Sequence, residues 1–274
     1  MMYLKMQFVS KIVGSTVIAL VLLGSGDSSI AKSPQLVKTN FLVSDKQLDN
    51  SFWSNHSDIS QLKSLTFTDI SGVRGEKEIQ QLAELGVLET TSSEFQPLAS
   101  ITRGQFVVWL LKTYNKLHRE PIRLPQGTLS AFPDVPSSHP HFTFIQAAHD
   151  AGYLAGFEDG NFRPDEVLTR EQMIVLKTRL DTNVAPSTRS PNNLRNFIGK
   201  TKGFTDANQI SERYLLHIAF DLGNGASNFN FARVYGKTRI FAPQKAVTRA
   251  EAAIILSRFR KGGTVERSLQ RRSR

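Results

Sequence analysis

The stretch Ala151-Gly-Tyr-Leu-Ala-Gly-Phe-Glu-Asp-Gly-Asn-Phe-Arg-Pro-Asp-Glu-Val-Leu-Thr-Arg-Glu-Gln172, read together with Phe132-Pro133-Asp134 before it, decides the fold because the chain writes the same pattern three times. A Phe-x-Asp opening leads to an apolar helical stretch, then to an aromatic-x-Pro turn, then to Thr-Arg and a second helix. The other copies run from Phe67-Thr68-Asp69 through Pro97 to Thr102-Arg103, and from Phe204-Thr205-Asp206 through Pro243 to Thr248-Arg249. The openings at Phe67, Phe132 and Phe204 stand 65 and then 72 residues apart. One structural unit used three times is the signature of a repeat architecture. Multiplied surface contacts suit such a chain better than a multiplied active site.

Within each copy the first helix is read from its apolar spacing. Ile79, Leu82 and Leu85, then Phe142, Ile145 and Ala148, then Leu215, Ile218 and Leu222 each recur at three or four residues and so share a helical stripe. Gly86, Gly152 and Gly223 follow the stripes, where a left-handed residue ends a helix. The second helix opens with a capping box: Thr102 with Gln105, Thr169 with Gln172, and Thr248 with Glu251. Ile101, Leu168 and Val247 precede the boxes as hydrophobic staples, paired with Phe106, Met173 and, more weakly, Ala252. The fold class expected is all-α, built from helix-loop-helix units packed on one another.

Around the repeats, composition sets limits. Lys5 and Lys11, the apolar run from Ile12 to Leu23, and a small-residue ending at Ala31 read as a secretory signal peptide over residues 1–31, with an uncleaved signal anchor as the alternative. That run is short for a membrane span, so the mature chain is expected not to be integral to a membrane. There is no cysteine, which removes lipid attachment at the cleavage point, disulfides and thiolate metal sites together. The formal charge of +10 favours anionic polymers as partners outside the cytoplasm. Residues 32–64 are polar and read as a flexible linker; residues 261–274, with Gly262-Gly263 and five cations, read as a disordered basic tail. The repeats occupy residues 65–120, 130–185 and 200–260, which leaves no sizeable region for a catalytic domain.

Arg103, Arg170 and Arg249 stand at the first helical position, where the positive end of the macrodipole makes a cation cost about 0.3–1 kcal/mol. Two accounts are open. The arginine and the free N–H groups of the helix end together form an acid-binding corner, or the arginine pairs with Asp69, Asp134 or Asp206 of a neighbouring unit and fixes the packing.

The second copy, Phe132-Pro-Asp-Val-Pro136 followed by Ala151 to Gln172, resembles the S-layer homology module of bacterial envelope proteins. The first and third copies are weaker versions of it. The resemblance implies a pseudo-threefold bundle of three modules that holds a protein non-covalently to a peptidoglycan-linked, often acidic, polysaccharide. It implies ligand contacts in the grooves between modules from Arg103, Arg170 and Arg249, of which only Arg249 lies in an unaltered Thr-Arg-Ala-Glu, and from the glycine-rich turn with Gly156, Asp159 and Gly160. Tyr153 is added as an aromatic face for sugar, whereas Phe162 reads as core because Phe95 and Phe241 recur at its position. The first copy has Glu89 to Glu94 in place of the glycine-rich turn. The third has an insertion over residues 224–240, carrying Arg233, Lys237 and Arg239, which reads as a solvated excursion.

Other chemistry is not called for. His139, His141 and His149 lie near a turn without fixed carboxylate partners, and Asp159-Gly-Asn161 lacks the later ligands of a calcium loop, so no metal or cofactor is expected. No nucleophile elbow, phosphate loop or isolated carboxylate pair nominates an enzyme. The reading is a non-catalytic envelope protein of the periplasm or wall, binding anionic polysaccharide and no nucleic acid. The alternative is a periplasmic adaptor or assembly factor whose main partner is another envelope protein.

Overall fold

The computed structural model describes residues 67–89, 92–182, 184, 187–223 and 230–273. The signal peptide and the linker expected at 1–31 and 32–64 lie outside them. The described part is chiefly helical: α1 Glu76–Glu84, α2 Arg103–Leu117, α3 Phe142–Asp150, α4 Arg170–Asp181, α5 Pro191–Asn196, α6 Leu215–Gly223, α7 Asn230–Tyr235, α8 Arg249–Leu256 and α9 Val265–Arg272. A two-residue antiparallel hairpin, β1 Arg258–Phe259 with β2 Gly263–Thr264, sits between α8 and α9. Among the described residues no helix is long and apolar enough to cross a membrane.

The first helices of the three copies, α1, α3 and α6, are each nine residues long, as their common stripes require. Gly86 and Gly152 follow α1 and α3 at φ of 73° and 76°. Gly223 differs, remaining inside α6 without a positive φ. Its role is clearance, since a Cβ there would stand 3.4 Å from Phe197 Cζ. The second helices α2, α4 and α8 all carry the complete reciprocal capping box at Thr102, Thr169 and Thr248.

Each copy closes on itself through its aspartate. Asp69 accepts from the N–H groups of Phe95 (2.8 Å) and Gln96 (2.6 Å), Asp134 from Phe162 (2.9 Å) and Arg163 (2.6 Å), and Asp206 from Phe241 (2.9 Å) and Ala242 (2.7 Å). The residues Gln96, Arg163 and Ala242 all have positive φ between 52° and 60°, a strained conformation for a side chain with a Cβ. Paired charge-assisted hydrogen bonds hold it in place. The turn then buries its aromatic, with Phe95, Phe162 and Phe241 at most 1% exposed.

The copies join through backbone hydrogen bonds that close a ring. Ile101 N–H donates to Val247 O (3.0 Å), Val247 N–H to Leu168 O (2.9 Å), and Leu168 N–H to Ile101 O (3.0 Å). Those three staple residues are fully buried, so each must find a partner for its peptide group inside the protein, and each finds it in the next copy. One turn outward a second set of bonds runs round the ring in the opposite sense. Gly104 N–H reaches Pro164 O, Glu171 N–H reaches Pro243 O, and Ala250 N–H reaches Pro97 O, at 2.7 to 3.0 Å. The first turn of each second helix is thus capped by its neighbour's aromatic-x-Pro turn.

Two expectations need correction. Of the insertion at 224–240, residues 230–235 form α7, with Asn230, Phe231 and Val234 buried rather than solvated. Phe231 stacks on Phe241 at 4.6 Å, and Asp221 accepts from the N–H groups of Asn230 (3.2 Å) and Phe231 (3.0 Å), so an acid on α6 holds the start of α7. Asp181 accepts from Asn230 Nδ2 (3.3 Å) and from Arg260 N–H (3.2 Å) while paired with the buried Lys177, which ties α4, α7 and the hairpin together. The stretch expected as a disordered tail contains β2 and α9. Val265 is fully buried and Leu269 packs on the core, enough apolar contact to order an otherwise charged helix.

Candidate binding site

Of the three first-turn arginines, Arg103 and Arg170 do not reach solvent as anion-seeking heads. Arg103 Nε donates to Phe162 O (3.1 Å), Arg170 Nη1 to Phe241 O (2.9 Å), and Arg249 Nε to Phe95 O (2.8 Å). Each guanidinium therefore clamps the aromatic carbonyl of the next copy around the ring. Each also lies over aromatic rings: Arg103 over Phe162 at 4.6 Å, Arg249 over Phe95 at 4.7 Å and Trp109 at 5.0 Å, Arg170 over Tyr235 at 3.7 Å. The unfavourable dipole position is compensated inside the protein by carbonyls and ring faces, while the aspartates bond to the turns and Asp69 also acts on Arg249 by its charge. Arg103 and Arg170 are 4% and 7% exposed; Arg249 is only partly buried.

The three corners are not equivalent. At Arg170 the corner is filled, because Tyr235 at the end of α7 lies against the guanidinium, its hydroxyl 3.4 Å from Glu251, while Glu251 stands 3.8 Å from Arg170. Burial and the adjacent Glu251 carboxylate hold the Tyr235 phenol above its usual range. At Arg249 the outer end of the guanidinium is open, and Asp69 is the carboxylate acting on it.

At Arg103 there is a cleft of about 20 Å³, room for roughly one water. Its lining brings Arg103, Arg179 and Arg213 together with Ala155, Gln172 and Tyr214, and contains no carboxylate. Arg103 floors it, donating from Nη2 to Ala155 O (3.4 Å), and burial, reinforced by Arg213 and Arg179, pulls its pKa down to about 10. Arg213 closes the rim by donating to Gly156 O (2.8 Å). The Nε of Arg179 is buried, and no atom among the described residues accepts from it. Beside it His217 is held neutral, its pKa lowered to about 4 by burial and then by the charge of Arg179. Three cations thus converge on the cleft, with Glu166 the carboxylate acting on Arg103 from outside its lining. Phe157 lies beside the cleft, outside its lining, with Arg103, Arg163 and Arg213 within 4.3 to 5.1 Å of its ring.

The glycine-rich turn follows Ala155, which lines the cleft, and its own residues build the turn beside it. A Cβ on Gly156 would meet Asn161 O and Phe132 Cε1 at 2.8 Å, so that glycine serves close packing. Gly160 has φ 80°, and Asp159 accepts from Asn161 N–H (3.0 Å) and pairs with Arg163 (3.1 Å), which builds the turn. Tyr153 is elsewhere, facing Tyr114 at 6.4 Å, and does not line the cleft. Sequence reasoning named Arg103 and missed Arg179, Arg213 and Tyr235. A signal for Arg179 was present, since a cation follows each capping threonine by ten residues, as Lys112, Arg179 and Arg258.

Residues 66–107 and 131–174 match the S-layer homology domain family. The chain carries S-layer homology domains. The two matched segments each contain one Phe-x-Asp opening and one arginine clamp, Arg103 and Arg170. An S-layer homology domain marks a protein of the cell surface or envelope. Among similar proteins, Exoglucanase XynX of Acetivibrio thermocellus is 31% identical over 71% of this chain and 16% of its own length. Amylopullulanase of Thermoanaerobacterium thermosulfurigenes is 31% identical over 70% of this chain and 9% of its own. Endo-1,4-beta-xylanase A of Thermoanaerobacterium saccharolyticum is 33% identical over 40% of this chain and 9% of its own. The chain thus spans under a fifth of the length of these relatives.

Proposed function

We propose that the third copy is an S-layer homology module like the other two, that the three form a pseudo-threefold bundle, and that the bundle anchors this protein, without catalysis, to a peptidoglycan-linked acidic polysaccharide. The reading is carried by one observation, the carboxylate-free cleft where Arg103, Arg179 and Arg213 converge. A carboxylate or phosphate substituent enters as Arg213 swings off Gly156 O, takes donors from Arg179 and Arg213, and leaves the sugar against Phe157 and the turn with Gly156, Asp159 and Gly160. Arg249 offers a weaker second contact with its open end. Arg103 and Arg170 act chiefly as clamps that set the groove walls, and the corner of Arg170 is filled by Tyr235.

The test is binding of the full chain to purified peptidoglycan sacculi before and after the attached polysaccharide is removed, with wild type and with Arg179→Ala combined with Arg213→Ala. The expected result is binding that requires the polysaccharide and falls about a hundred-fold in the double variant, two charge-assisted contacts being lost. Unchanged binding after removal of the polysaccharide would point instead to a protein partner and the adaptor reading.

A further inference from the structure

We propose that α9, with the hairpin before it and the end of α2, is a second contact surface for the wall polymer, gripping a linear polyanion by charge and outside the cleft; this rests on the reading above. Between Arg258 and Ser273 the chain carries six cations, Arg258, Arg260, Lys261, Arg267, Arg271 and Arg272, and all six are exposed. The one acid of that stretch, Glu266, is already paired with Lys77 at 2.8 Å.

The surface is fixed rather than free. Thr264 caps α9 by accepting from Arg267 N–H, Val265 N–H donates to Ser257 O (2.9 Å), and Val265 and Leu269 face the core. A polymer binding here meets cations whose ordering cost was met when the protein folded. Arg267 and Arg271 stand one turn apart, about 6 Å along the axis. Within the helix that placement is unfavourable twice, as a cation in the first turn and as a like-charge pair at four residues. Arg271 and Arg272 by themselves would be explained by the negative end of the dipole; Arg267 is not.

The end of α2 adds to the same field. Lys116 is exposed and close enough to Arg272 and Lys112 for their charges, after burial of its own stem, to lower its pKa. Gly262 approaches His118 so closely that a Cβ would stand 2.5 Å from the ring, which brings the Lys261 turn against the α2 end. Glu120 is exposed just beyond α2, and Glu89 pairs with Lys112 at 3.3 Å, which leaves Lys116 as the contributing cation of that helix end. No large exposed apolar side chain lies between residues 258 and 273, the exposed ones being Leu98, Leu124, Leu129, Val167 and Ile240. Without an apolar wedge the surface is unsuited to insertion among lipid tails and suited to a hydrated acidic chain. A second grip on a polymer already held in the cleft raises apparent affinity without demanding tight binding at either place.

The experiment is a salt titration of full-chain binding to polysaccharide-bearing sacculi. Arg267→Gln combined with Arg271→Gln and Arg272→Gln is expected to weaken binding about ten-fold and flatten its salt dependence. Lysine at the same three positions is expected to restore both. Wild-type affinity in the glutamine variant, or equal loss in the lysine variant, overturns the proposal. Loss of binding to phosphatidylglycerol vesicles with sacculus binding intact also overturns it and assigns the surface to a membrane. Failure of the cleft reading shows separately, as unchanged sacculus binding by the Arg179→Ala and Arg213→Ala variant.

Discussion

At the scale of the residue, the first-turn arginines show how a locally unfavourable choice is made good by a neighbour. The sequence exposes the anomaly, a cation at the positive end of three helices, but a carbonyl acceptor is invisible in it because every residue carries one. Hence Phe162 O, Phe241 O and Phe95 O could not be named beforehand, and the aspartates, legible as repeated punctuation and offered as one of two possible partners for the arginines, bond chiefly to the turn N–H groups. Two titrating residues make a test at the same scale. His217 has its folded pKa depressed to about 4, so the unfolded chain takes up a proton first and stability is lost as pH falls from about 6.5 toward 4. With partial exposure discounted, that loss is about 1–2 kcal/mol. Asp221 is shifted the other way, to about 6 by burial, so the folded state takes up the proton first and stability is gained from about pH 6 down toward 3.8. The two effects oppose each other over this window, on top of the acid losses from His118 and His141, whose pKa values burial also lowers. His217→Gln should lose less stability than wild type in urea unfolding on acidification from about pH 6.5, and an equal loss would contradict the assignment.

At the scale of the element, the six principal helices were legible because apolar spacing, capping boxes and closing glycines agreed. α7 and α9 were not. Each has few apolar residues, Phe231, Val234 and Tyr235 in one and Val265 and Leu269 in the other, amid charge that ordinarily keeps a segment in water. What orders them lies outside their own sequence: Asp221 at the start of α7, and the hairpin and Glu266–Lys77 pair around α9. The filled corner at Arg170 follows from α7 and gives a prediction. Tyr235→Ala should cost about 3 kcal/mol in urea unfolding, because a large aromatic is removed from a buried guanidinium. Tyr235→Phe should cost under about 1 kcal/mol, the hydroxyl making only a 3.4 Å contact with Glu251. Equal losses would mean that the hydroxyl, and not the ring, fills the corner.

At the scale of the whole molecule, the repeat pattern announces three similar units but not their order around a ring, nor which junction keeps a usable cleft. Those depend on non-repeated residues: Arg213 and Tyr214 ahead of α6 line a cleft at one junction, and Tyr235 fills another. Because Ile101, Leu168 and Val247 each bond to the next copy, none can open without disturbing the other two. Their amides are expected to exchange hydrogen together, in the slowest class and at the free energy of global unfolding. Early exchange of one of the three would show that its copy opens independently.

The most direct test of the central claim is an NMR titration of the protein with acidic fragments released from the wall polysaccharide, following the guanidinium Nε–Hε signals. The signals of Arg179 and Arg213 are expected to shift in saturable fashion while that of Arg170 stays in place. Fragments that bind and leave Arg179 and Arg213 unmoved would contradict the account.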